Sequence, residues 1–170
     1  AETVGYARAD GWQVVSLPTV GGAQAVVLLP DGELAAAERA LDAATLGDLL
    51  AAPAPTKVDL RVPKWRVRTQ VDLTDTLHAL GVRTMFTSAA DLTGISADER
   101  LAVQAVLHEA VLDVDERGVE GAAATAVLLR RLSLDLSRPL PVLVDRPFLL
   151  LVRHAATGAI YFMARVTDPR

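Results

Sequence analysis

The 170-residue chain lacks cysteine and asparagine, only 4% of it is aromatic, and only two of its 17 basic residues are lysines. Without cysteine the fold contains no disulfide bond, and the sequence does not indicate whether the protein works in an oxidising or a reducing compartment. No apolar run is long enough to cross a bilayer, so we expect no membrane partner. A net charge of −4 gives no argument for a nucleic-acid surface.

Hydrophobic residues are abundant, at 51% of the chain, which is enough for a substantial core. The length is typical of one domain. The bias toward Arg, Ala, Leu and Val indicates a GC-rich genome, and we expect a bacterial source. The opening AETVGYARADGW has no basic segment followed by an apolar stretch, so no signal peptide is visible.

Turn and periodicity signals predict the elements of the first third. Gly11–Ser16 and Ala23–Leu29 are expected to form a hairpin, because a glycine pair lies between them and Pro30 follows. Leu34–Leu50 has helical spacing. The six residues 51–56 are a proline-broken connector, too short for a domain linker.

Further strands and one helix are predicted beyond this connector. Lys57–Val67 alternates as a strand, and a helix capped by Asp72 is expected to close at Gly81. Leu101–Val114 is apolar on both faces, which predicts a central strand covered on both sides. Phe148–Val152 and Ile160–Val166 form a predicted terminal hairpin. The fold class is therefore α+β with mostly antiparallel sheets.

The segment DERGVEGAAATAVLLRRLS, residues 115–133, changes from charged to small and then to bulky and basic. Alanine favours a helix, but the glycines at 118 and 121 weaken one. In a strand, one face would carry Val119, Gly121, Ala123 and Thr125, which are small or neutral. Because the run is compatible with a loop, a helix or an inserted strand, it suits a segment that changes its conformation.

These residues resemble the hinge of the serpins, a family of protease inhibitors. The positions that match as they stand are Glu116, Gly118, Glu120, Ala122, Ala123, Ala124 and Thr125, while Val119 and Gly121 differ from the usual residues. Residues 62–96 (VPKWRVRTQVDL…ADLTGIS) and 145–169 (DRPFLLLVRHAATGAIYFMARVTDP) resemble two further serpin segments in the family's order. The resemblance covers residues 1–170 as the C-terminal part of one serpin domain, with the N-terminal half absent.

The resemblance implies an exposed reactive loop that a serine protease cleaves and that then inserts into the main sheet. Its register places the reactive bond at Leu132–Ser133, which suits chymotrypsin- or subtilisin-like enzymes. Arg131–Leu132 is the second choice and would suit trypsin-like enzymes. The family also suggests an extracellular location and assigns His108 to the region where the main sheet opens. A buried His108 needs a polar partner.

Other functions are weighed against this one. No G-x-S-x-G motif occurs and no histidine has a metal-like neighbour, so we predict neither an enzyme nor a cofactor. His78 is expected on a helix surface and His154 at a turn. The remaining alternatives are a non-inhibitory protein with the serpin fold, and an inactive truncated fragment.

Overall fold

The computed structural model describes residues 2–114 and 138–169. They belong to two compact units, Ala1–Arg66 with Asp113–Arg170, and Val67–Leu112. The strands found in the described residues are β1 (Glu2–Ala9), β2 (Trp12–Pro18), β3 (Ala23–Pro30), β4 (Ala54–Arg61), β5 (Trp65–Asp72), β6 (Leu107–Val114), β7 (Leu140–Leu143), β8 (Phe148–His154) and β9 (Ile160–Val166). The helices are α1 (Leu34–Ala40), α2 (Ala43–Ala51) and α3 (Thr74–Ala79), with 3-10 turns at Val20–Gly22 and Thr84–Phe86.

Seven of these strands form one sheet in the order β7-β4-β1-β2-β3-β8-β9. All neighbours run antiparallel except β4 and β7, which are parallel. The predicted hairpin β2–β3 is confirmed. Gly21 and Gly22 both have positive φ in its connection, a conformation that glycine adopts without steric cost. The predicted hairpin β8–β9 is also confirmed, with a register irregularity at Val152/Arg153.

Helices α1 and α2 cover one face of this sheet. Their residues Leu34 and Leu49 are buried with alternate residues of three strands, in a cluster that contains Trp12, Val14, Val26, Leu28, Leu149 and Leu151. The helical pattern predicted over Leu34–Leu50 is interrupted after Ala40. Asp42 starts α2 there, because its carboxylate accepts a hydrogen bond from the Thr45 N–H at 2.7 Å.

The strand predicted over Lys57–Val67 is two strands in two different sheets. β4 ends at Arg61 in the seven-stranded sheet, and β5 begins at Trp65 in a two-stranded sheet with β6. Pro63 lies between them and has no N–H to donate to a ladder. The alternation of side chains continues across this break, so periodicity alone did not reveal it.

The second unit contains α3, and Gly81 follows this helix with a φ of 90°, as the predicted helix end requires. The covered strand predicted over Leu101–Val114 is wrong in two respects. Its first part is not a strand, because the Val103 N–H donates to the Met85 carbonyl and the Val106 N–H to the Thr74 hydroxyl. The rest is β6, where Leu107 is 79% exposed.

The described residues therefore form a mixed α+β structure with a large, mostly antiparallel sheet, as predicted. Among them, no helix is both long enough and apolar enough to span a membrane.

Candidate functional site

The predicted hinge and reactive bond lie between β6 and β7. β6 ends at Val114, and the described chain resumes at Arg138. The predicted hinge (Glu116, Gly118, Val119, Glu120, Gly121, Ala122, Ala123, Ala124 and Thr125) lies outside the described residues, as do Arg131, Leu132 and Ser133. Their roles remain predictions, and the structure describes the strands on either side.

The strand that follows the predicted loop is held in the seven-stranded sheet. β7 pairs in parallel with β4, from Val58↔Leu140 to Arg61↔Leu143. The Val144 N–H extends this pairing by donating to the Arg61 carbonyl at 2.9 Å. Val142 is buried, so β7 is anchored by packing as well as by its backbone.

The strand that precedes the predicted loop has a partner on one side. β6 pairs with β5, and in the described chain its other edge is unpaired. Glu109 on β6 forms an ion pair with Arg68 on β5, with 2.7 Å between Oε1 and the arginine Nε. It also accepts a hydrogen bond from Gln70 Nε2 on β5 at 3.0 Å. These contacts were not predicted, because sequence alone does not show which charges face each other across two strands.

His108 lies on β6 and is exposed, so the buried environment predicted for it is wrong in this chain. It lines an open pocket of about 430 Å³ with Val71, Asp72 and Leu107. The strand was expected to be covered on both faces, and in the described chain it is not. The assignment of His108 to the sheet-opening region stays a prediction.

The other two histidines differ in environment. His78 lies on α3 with its ring 4.5 Å from the Phe86 ring, and its Nε2 is buried without a hydrogen-bond partner among the described residues. His78 lies on a helix, as predicted, and it is half-buried, while no residue of α3 is fully buried. His154 ends β8, and its Nδ1 accepts a hydrogen bond from the Thr157 N–H at 3.2 Å, which confirms its place at a turn.

Three aspartates have lowered pKa values because they accept hydrogen bonds from threonines that follow them closely in the sequence. Hydrogen bonds from the Thr45 backbone and side chain lower the pKa of Asp42. Bonds from Thr74 and from Thr93 likewise lower the pKa of Asp72 and of Asp91. Each threonine lies two or three residues after its aspartate, as in caps and turns. No group of metal-binding side chains occurs among the described residues.

The described residues combine a large, mostly antiparallel sheet that carries helices on one face with a two-stranded sheet of β5 and β6. The family model described as "Serpin (serine protease inhibitor)" matches residues 1–169. The chain belongs to the serpin family.

Individual relatives agree with this family. "Serine proteinase inhibitor 2.4" of Apodemus sylvaticus is 39% identical over 158 residues, covering 92% of this chain and 38% of the relative. "Plasma serine protease inhibitor" of Bos taurus is 37% identical, covering 92% and 39%. The solved structure of thyroxine-binding globulin in complex with thyroxine has a TM-score of 0.77 at 27% identity, covering 99% and 44%.

Two points follow from these matches. The chain spans about two fifths of the length of the curated relatives that it matches. Both named relatives are mammalian, so they do not support the bacterial source expected from composition.

Proposed function

We propose that this chain is the C-terminal part of a serpin that inhibits serine proteases by covalent suicide trapping. The observation that carries the proposal is the position of the hinge sequence, which follows β6 directly, while the outer edge of β6 is unpaired in the described chain. A cleaved loop that turned back would find unpaired N–H and C=O groups along this edge. Strand addition of this kind supplies a backbone hydrogen bond for each group that it pairs.

The hinge sequence suits insertion. About twelve residues at ~3.3 Å each would span roughly 40 Å, enough to carry a bound protease across a domain. The face with Val119, Gly121, Ala123 and Thr125 carries no charge, so burying it leaves no charge without a partner. Trapping rather than turnover follows if insertion is faster than hydrolysis of the acyl-enzyme, so the protein itself is not an enzyme.

The proposed reactive bond determines the class of protease. Leu132–Ser133 favours chymotrypsin- or subtilisin-like enzymes, whereas Arg131–Leu132 favours trypsin-like ones. We propose that the target is met outside the cell, since one relative is named a plasma inhibitor.

A second partner is the remaining part of the same domain. Leu107 and Val111 on β6 are large apolar side chains, yet they are 79% and 42% exposed. We propose that the N-terminal part of the serpin domain pairs with and covers this ribbon in the complete protein.

The test uses the complete protein, with its N-terminal part, mixed with subtilisin, chymotrypsin, elastase or trypsin. We expect a complex that survives denaturing electrophoresis, and a released peptide whose first residue is Ser133. A peptide that begins at Leu132, together with a trypsin complex, would assign the bond to Arg131. Cleavage with every enzyme and a complex with none would contradict the inhibitory function.

One observation favours a second candidate, a non-inhibitory serpin that carries a small molecule. The thyroxine-binding globulin structure resembles the whole of this chain. The hinge has no proline, and the face with Val119, Gly121, Ala123 and Thr125 has no charge, which favours inhibition over this alternative. An inactive truncated fragment is the third possibility, and it predicts cleavage without a complex even when the N-terminal part is supplied.

A further inference from the structure

The seven-stranded sheet ends in two different strands, β7 on one side and β9 on the other. In the described chain, the outer edge of each of these strands has no neighbour. An unpaired edge presents N–H and C=O groups to which another strand can add. The two edges differ in length, in proline content and in exposed apolar side chains, and these differences determine which edge accepts a strand.

Alternate residues of β7 pair with β4. The Val144 N–H, just beyond the strand, donates to the carbonyl of Arg61 at 2.9 Å, and Arg61 is the register partner of Leu143. Backbone groups alternate in direction along a strand, so residues 140, 142 and 144 point toward β4. Residues 141 and 143 therefore point away from the sheet.

Proline occupies the first of these outward positions. Pro141 has no N–H, so Leu143 is the one residue of β7 whose N–H points outward. The same alternation, continued to the residue before the strand, reaches Pro139. Prolines at such positions on an edge strand prevent another strand from pairing there. With four residues and one outward donor, β7 offers too little backbone to bind a further strand.

β9 has none of these features. Its seven residues include no proline, so every outward position has both an N–H and a C=O. Its one charged residue is Arg165, whose Nε donates to both carboxylate oxygens of Glu38 on α1, at 2.9 and 2.8 Å. No unpaired charge on β9 therefore opposes the addition of a strand. Four successive apolar side chains of β9 are between 43% and 57% exposed: Ile160, Tyr161, Phe162 and Met163.

We propose that a second copy of this chain adds to the seven-stranded sheet at β9, and that the β7 end of the sheet is closed to such addition. Two β9 strands that pair antiparallel about a two-fold axis cover both open edges at once. Because β7 does not accept the β9 strand of another copy, these two edges do not join sheets end to end into a filament. The proposal concerns the 170-residue chain and does not rest on the proposed protease inhibition.

The test uses the absence of cysteine, because a single introduced cysteine then reports on one contact. Met163→Cys marks β9, Leu143→Cys marks β7, and Ser88→Cys on an exposed turn measures random collision. Each variant is oxidised at the same concentration, and disulfide-linked dimers are followed over time on non-reducing gels. We expect Met163→Cys to cross-link at least about tenfold faster than Ser88→Cys, because pairing holds the two thiols at a high effective concentration. Leu143→Cys should cross-link no faster than Ser88→Cys.

A second experiment tests whether Pro141 closes the β7 edge. Pro141→Thr restores an outward N–H with a residue that favours strands. Tagged Leu143→Cys mixed with untagged Met163→Cys should form mixed dimers only at the collision rate, and faster when both chains also carry Pro141→Thr. Pro147→Thr is the matched control, since Pro147 is exposed and lies outside the strands, and it should leave the rate unchanged.

Three results would overturn the proposal. Leu143→Cys could cross-link as fast as Met163→Cys, or Met163→Cys could cross-link no faster than Ser88→Cys. These two comparisons involve no proline substitution, so poor folding of Pro141→Thr would not rescue the proposal. The third result is a folded Pro141→Thr pair, with an unchanged circular dichroism spectrum, that forms mixed dimers only at the collision rate.

Discussion

Asp42 is the residue at which a single side chain has a clear structural effect. It begins α2, and hydrogen bonds from Thr45 lower its pKa below the ordinary value of 3.8. A carboxylate with a lowered pKa in the folded protein stabilises the fold above its unfolded pKa. That contribution is lost as the pH falls through the folded pKa.

We therefore predict that Asp42→Ala lowers the melting temperature at pH 7 and that the difference shrinks as the pH falls below about 3.8. Asp42→Asn keeps an oxygen that can accept the Thr45 N–H, so it should melt above Asp42→Ala at neutral pH. Thermal melts followed by circular dichroism from pH 7 to pH 3 measure both effects. A pH-independent loss in Asp42→Ala would show that the carboxylate charge is not involved.

At the scale of elements, the proposed insertion involves β6 and the hinge sequence that follows it. β6 has one paired edge and one unpaired edge in the described chain, and an inserted strand needs such an edge. In an inserted strand, successive side chains of the hinge would point to opposite faces of the sheet. This alternation would determine which of them become buried.

We predict that, in the complete protein, Val119→Arg or Ala123→Arg converts the inhibitor into a substrate, because insertion would bury an unpaired charge. Ala122→Arg is the matched control, since its side chain would be on the opposite face of an inserted strand, and this variant should keep complex formation. The ratio of trapped to cleaved protein on a denaturing gel measures the effect. Equal trapping by all three variants would rule out this stretch as the hinge.

At the scale of the whole molecule, several large apolar side chains of the described chain are exposed. β9 is the outer strand of the seven-stranded sheet, and Tyr161, Phe162 and Met163 on it are between 46% and 57% exposed. Leu107 and Val111 on β6 are also exposed. Unpaired strands with apolar side chains are templates for association.

We predict that residues 1–170 alone associate into oligomers or bind a hydrophobic dye, and do not trap a protease. Phe162→Lys should reduce association, because lysine on an edge strand opposes pairing, while Thr87→Lys on an exposed turn should not. Adding the N-terminal part of the domain should restore a monomer that traps protease. Size-exclusion chromatography and a trapping gel test this. A monomeric 170-residue chain that traps protease would contradict it.

The sequence by itself determined the features that depend on neighbours along the chain. The hairpins β2–β3 and β8–β9 follow from short apolar runs separated by turn residues, and the helix before Gly81 follows from the spacing of its leucines. Its N-cap is Leu73 and not the predicted Asp72. Three motifs in the family's order identified the serpin family, which the family model then confirmed.

Only the tertiary structure decided features that depend on contacts between distant residues. The apolar run 101–114 was predicted to be covered, but coverage depends on which segments pack against a strand, and its first residues instead bond to Met85 and Thr74. The pairing of Glu109 with Arg68 and the close approach of Gly5 to Ser16 depend on strand register. Register places residues side by side in space, and one-dimensional periodicity carries no information about which residues those are.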